Sequence, residues 1–165
     1  MKKTKILFLF LILTSTLNLF SQDYSDLTKI NLSDSLNCKT AQPKVIECCD
    51  YLLNNPCVEN LKSLNATLFI IEWMGATSGF YFSFEENIYK VIKSDLNLTS
   101  RYYASLAKVA LEKSYTENSM EFQLNAITSL LEYCELPKNQ VKISKKLQKY
   151  INSKNAGTLK ELIKI

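Results

Sequence analysis

From Asp23 to Gln42 the chain (DYSDLTKINLSDSLNCKTAQ) is polar, with scattered leucines and no steady period, which predicts an irregular lead-in. From Pro43 onward apolar positions recur at helical spacing. Pro43 suits a first helical turn, and Asn55-Pro56 supplies a cap and a first-turn proline for a second helix, so the first two helices form an antiparallel hairpin. The second helix carries Leu61, Leu64, Leu68 and Ile71, then thickens into LFIIEWM. An end that is apolar all round predicts burial on several sides, and hence the central helix.

GATSGFYFSF (75–84) follows, with two of the three glycines in the chain. Gly75 to Gly79 stops the apolar helix, and Phe80, Phe82 and Phe84 share one side if 80–83 is extended, which predicts a plug at one end of the bundle. No lysine stands between the glycines and the next helix, so a phosphate-cradling loop is not expected. Ser83 and Glu86 read as a capping box for a third helix with Ile88, Val91 and Ile92. A fourth helix starts near Thr99 or Ser100, and a fifth carries Met120, Leu124, Ile127, Leu131 and Cys134 until Pro137 ends it. A sixth holds Ile143, Leu147, Tyr150 and Ile151, and a short terminal helix holds Leu159, Leu162 and Ile163. No motif recurs at a fixed period. The pattern predicts an all-α fold, a compact bundle of about five to seven helices built from antiparallel helical hairpins, as a single domain over 43–165.

MKKTKILFLFLILTSTLNLFSQ (1–22) has a cationic start and an apolar run from Ile6 to Leu13 that is too short to span a bilayer, so it reads as a signal peptide. The expected location is periplasmic or secreted, with no transmembrane anchor after leader removal. Removing three lysines and no acids lowers the net charge from +4 to +1, so the basic balance of the whole chain implies no nucleic-acid partner. Charge is nonetheless uneven: Lys138 to Ile165 carries eight lysines and one acid. That segment offers an acidic-surface contact, although Lys142, Lys145, Lys146 and Lys149 also fit a solvated face opposite Ile143, Leu147 and Tyr150.

The sequence contains no histidine, which excludes Ser-His and Cys-His nucleophile pairs and His-ligated zinc. Five cysteines in an exported chain call for disulfides. Cys134 belongs to an apolar stripe. Of the others, Cys38 on a flexible lead-in can swing to Cys48 or Cys49, and a second bridge to Cys57 requires the hairpin turn to pinch the helix ends together. No Cys-x-x-Cys spacing supports a metal or redox site, and no metal or other cofactor is expected. Ser105 and Lys108 form Ser-x-x-Lys without its companion motifs. Glu72, beside Trp73, is the acid of the glycine region left without a structural task, because Glu86 caps and Glu85 suits the helix dipole.

FIIEWMGATSGFYFSF, YYASLAKVALEKS and LNAITSLLEYCELPKN resemble a loose group of uncharacterised exported helical proteins of Gram-negative bacteria, over roughly 61–154. The resemblance implies an all-helical protein of the cell envelope and brings no activity. The expected function is a non-enzymatic module that binds another protein, as an accessory or immunity-type factor. A carrier with an apolar cavity near Trp73 and Phe82, or a carboxylate hydrolase using Glu72, are the alternatives. Contact residues would come from Glu72, Trp73, Phe80, Tyr81, Phe82 and Phe84.

Overall fold

The computed structural model describes residues 23–163 and places six α-helices and three short 3-10 turns among them, with no strand. The signal peptide expected over 1–22 lies outside these residues. The helices are α1 (Ser35–Asn54), α2 (Leu61–Ala76), α3 (Glu86–Ile92), α4 (Leu96–Lys113), α5 (Met120–Glu135) and α6 (Lys145–Asn155); the 3-10 turns are Ser25–Lys29, Pro137–Asn139 and Leu159–Glu161. The chain is an all-α bundle.

The lead-in ends sooner than its polarity suggests. Asp34 caps α1 by accepting the Asn37 N–H at 2.8 Å, so residues 35–42 are helical and Pro43 lies inside the helix rather than in its first turn. The buried stripe here is Cys38, Ala41, Val45, Cys48, Cys49 and Leu52, whose first members are small and easily read as polar sequence. Pro43 leaves the Lys39 carbonyl without an intrahelical donor; both residues are exposed, so this lies on the water side. Two other expected starts also move. Asn60, not Asn55, caps α2, accepting the Ser63 N–H at 2.8 Å, while the Asn55 amide donates to the Tyr51 carbonyl at the end of α1. Glu85 rather than Ser83 caps α3, accepting the Ile88 N–H at 2.7 Å. The cap therefore lies two residues further along than the capping box, and the amide it satisfies is that of Ile88 rather than that of Glu86.

Two apolar clusters make up the core. The first joins α1, α2 and the leading 3-10 turn; the second joins α3, α5, α6 and the last 3-10 turn. α4 belongs to both, offering Ala104 and Ala107 to the first and Leu98, Tyr102, Leu106, Val109 and Ala110 to the second. It is therefore the central helix, and the expectation that α2 holds that place is corrected. Alanines on α4 let α1 approach closely, whereas α2 packs through Ala66, Phe69, Ile70 and Trp73 and leaves its opposite side outward.

The cysteines are free. The bridge expected from Cys38 to Cys48 or Cys49 fails for a geometric reason: all three sit on the same helix, and ten residues of α-helix separate Cα atoms by about 15 Å, well beyond disulfide reach. Cys38 instead donates its thiol to the Leu32 carbonyl at 3.5 Å. Cys57 lies half-buried in the α1–α2 link, and its N–H donates to the Asn139 carbonyl at 2.8 Å.

Candidate functional site

The aromatic corner is mostly structural. Trp73 is fully buried, and its indole N–H donates to the Cys38 carbonyl at 2.9 Å, which ties α2 to α1. Its ring meets those of Phe80 and Phe82 at 5.6 and 5.9 Å, and Phe82 meets Phe122 of α5 at 6.4 Å. The rings of Trp73, Phe80 and Phe82 thus pack on one another at the place where a carrier cavity was expected. Phe84 departs from the other two: it is half-exposed and packs on Tyr103, Tyr89 and Tyr102. Tyr81 is exposed. A polar network holds the second half of the corner. The Tyr102 hydroxyl accepts from the Glu85 N–H and donates to Gln123, whose amide donates to the Ser83 carbonyl at 2.8 Å. Burial raises the Tyr102 phenol well above its usual range, so it stays a neutral donor.

The remaining chemical candidates do not assemble. Glu72 is exposed and borders a small cleft of about 40 Å³ in which it is the only lining carboxylate. Ser105 donates to the Arg101 carbonyl of its own helix at 2.9 Å. Lys108 instead pairs with Asp50 and Glu112 at 2.5 and 2.6 Å; burial lowers its affinity for a proton, but these carboxylates outweigh that and hold its pKa above the ordinary lysine value. Burial pushes the Cys48 and Cys134 thiols up to about 12 and Cys49 well above its usual range, so these sulfurs are protonated and poor nucleophiles at neutral pH. Among the described residues, no group of three or more cysteines or acids is placed to hold a metal ion. On α6, Lys145, Lys146 and Lys149 are exposed opposite buried Leu147, Tyr150 and Ile151, the solvated face that the sequence allowed.

What the structure brings together is the outer side of α2. Leu61, Leu64, Leu68 and Ile71 follow one another in steps of three, four and three, the a and d spacing of a coiled-coil seam. They are 58, 53, 55 and 41% exposed, and no element covers them among the described residues. Along one margin the amino-terminal turn of α4 lines a groove of about 350 Å³ in which Leu61 and Leu64 face Leu96, with Glu59, Asn60, Ser63, Thr67, Asn97 and Ser100 as its polar part. Leu96 is 80% exposed. Along the other margin, the small cleft beside Leu68 is lined by Tyr24, Leu27, Thr28, Asn65 and Glu72. The Asn65 amide donates to the Asp23 carbonyl at 3.0 Å and fixes the lead-in there.

The sequence shows these four residues as the apolar stripe of α2, and burial was expected of the crowded end that includes Leu68 and Ile71. Period alone does not say which of two apolar stripes on one helix turns inward. The available signal was that Ala66, Phe69, Ile70 and Trp73 already make a complete inward face on α2. No protein-family model matches the chain, and neither does any curated protein or solved structure. The seam's own geometry therefore carries the functional argument.

Proposed function

We propose that the protein is an exported, non-enzymatic helical module that acts by binding another protein, and that α2 carries the contact face. The observation behind this reading is the open seam of Leu61, Leu64, Leu68 and Ile71 beside Leu96. Together these side chains expose on the order of 500 Å² of apolar surface, toward the upper end for the largest patch of a monomeric protein. Such a patch costs solubility, and a protein partner that covers it removes that cost. The lack of histidine, the protonated buried thiols and the isolated position of Glu72 favour this reading over the hydrolase. The packed aromatic corner favours it over the carrier.

The test is a benzophenone amino acid placed at position 64 in the native host, irradiated, with mass spectrometry of the products. A cross-linked second protein is expected from position 64 and not from position 149, on the exposed face of α6. Recovery of the monomer alone, or of the monomer with a small molecule, overturns the proposal.

A further inference from the structure

We infer that the occupant of the seam is an amphipathic helix carrying leucine-type side chains on one face and lysine or arginine beside them; the inference rests on the reading of α2 as a protein-contact face. Three observations lead there. The first is shape. Apolar residues in steps of three, four and three present a helical seam about 15 Å long, and the groove between α2 and Leu96 supplies a recess beside it for inserted side chains. A helix laid along α2 fits both features, in the helix-in-groove manner of recognition.

The second observation is charge. The residues lining the two margins include the acids Glu59 and Glu72 and no lysine or arginine. Lys62, the one basic residue of α2, does not line either margin, and its ammonium is engaged by the Tyr24 and Tyr51 rings, 4.5 and 4.7 Å away. A partner whose flanks are basic gains attraction at both ends of the seam.

The third observation concerns the competing occupants. A second copy laid antiparallel would oppose Leu61 to Ile71 and Leu64 to Leu68, which is good apolar pairing. It would also bring Glu72 beside Glu59 of the other copy at each end, where like charges repel. A lipid surface calls for basic residues around the apolar face, and these margins have acidic ones.

The test uses two labelled synthetic helices with identical leucine and isoleucine heptads, one flanked by lysine and one by glutamate, titrated by fluorescence anisotropy against the purified protein. The lysine-flanked helix is expected to bind with a dissociation constant on the order of micromolar, at least about ten-fold tighter than its glutamate counterpart. The double variant Leu64→Asp/Leu68→Asp should weaken that binding by roughly ten-fold or more with an unchanged thermal melt. Glu59→Gln/Glu72→Gln should shrink the preference for lysine flanks to about three-fold or less. Equal binding of both helices, or none of either, overturns the inference. So does sedimentation showing a micromolar dimer that Leu64→Asp dissociates, although that result leaves the protein-contact reading of α2 standing. Flotation with anionic phosphatidylglycerol vesicles that is lost in Leu64→Asp overturns both.

Discussion

The Arg101 guanidinium donates to the Pro56 carbonyl at 2.9 Å, and through that contact the middle of the bundle holds the link between its first two helices. Arg101 is the only arginine in the sequence, it is fully buried, and it also reaches the Asn97 carbonyl at 3.3 Å. Its charge rests on carbonyl oxygens and on the Tyr133 ring, 5.8 Å away, and its Nε has no hydrogen-bond partner among the described residues. Tyr133 adds a second tie by donating to the Asn55 carbonyl at 2.9 Å.

Replacing Arg101 by methionine leaves the Pro56 carbonyl without its donor but also removes a costly buried charge, whereas alanine adds a cavity as well. Arg101→Ala should lose about 2–4 kcal/mol in urea unfolding and Arg101→Met distinctly less. Equal losses would mean that the hydrogen bonds, and not the packing, set the cost.

Tyr102→Phe removes one hydroxyl that serves the Glu85 amide and Gln123 together. A loss of about 1–3 kcal/mol is expected, with an unchanged dependence on urea concentration, because burial of the ring persists. Near-ultraviolet circular dichroism should change as well, since the network positions the aromatic corner.

Stability should fall in alkali. The thiols of Cys48 and Cys134 ionise at about 12 in the folded protein against 9.0 for a free thiol. Between those values the unfolded chain has released protons that the folded one retains, so stability decreases as pH rises from 9 toward 12. Buried Tyr133, also pushed up to about 12, adds in the same direction above 10. Urea midpoints measured from pH 8 to pH 11 should decline, and Cys48→Ala with Cys134→Ala should flatten the decline below pH 10.

Pro43→Ala restores an N–H for the Lys39 carbonyl at an exposed point inside α1. A gain of about 1–3 kcal/mol is expected, read as a raised melting temperature.

The two stripes of α2 should respond differently to substitution. Leu64→Gln and Leu68→Gln should stay within about 0.5 kcal/mol of the parent, whereas Ile70→Ala, at a fully buried position, should cost about 2–5 kcal/mol. Similar losses from both would mean that the seam is covered in the free protein.

The same pair of stripes shows how far the fold is legible. Helical period located every helix from α2 onward to within a few residues, and Pro137 stopped α5 as expected. Where local chemistry offered two answers, long-range packing decided. Asn55 and Asn60 are equally good caps, and the link between them takes its shape from Arg101, Tyr133 and Asn139, which are distant in sequence. On α5, Met120 and Leu124 are only half-buried, while Phe122, Ala126 and Leu130 are buried too, because α4 and α6 cover the helix on two sides. Cys38 and Ala41 concealed the start of α1 because small residues give a weak apolar signal. Leu61, Leu64, Leu68 and Ile71 were legible as an apolar stripe and not as a surface, Leu96 gave no signal, and the contact residues expected from the sequence lay instead at the aromatic corner.

Because α4 contributes to both apolar clusters, neither can come apart without stripping one of its faces. Amide protons at its middle, around Leu106 and Ala107, should therefore trade with solvent deuterium only when the whole chain opens, so that their exchange rate would read out the global free energy of folding. The short α3 and the last 3-10 turn lie at the edge and should exchange sooner. One buried helix thus makes the two halves of the bundle a single thermodynamic unit, and the seam on α2 is displayed on a support that does not yield separately.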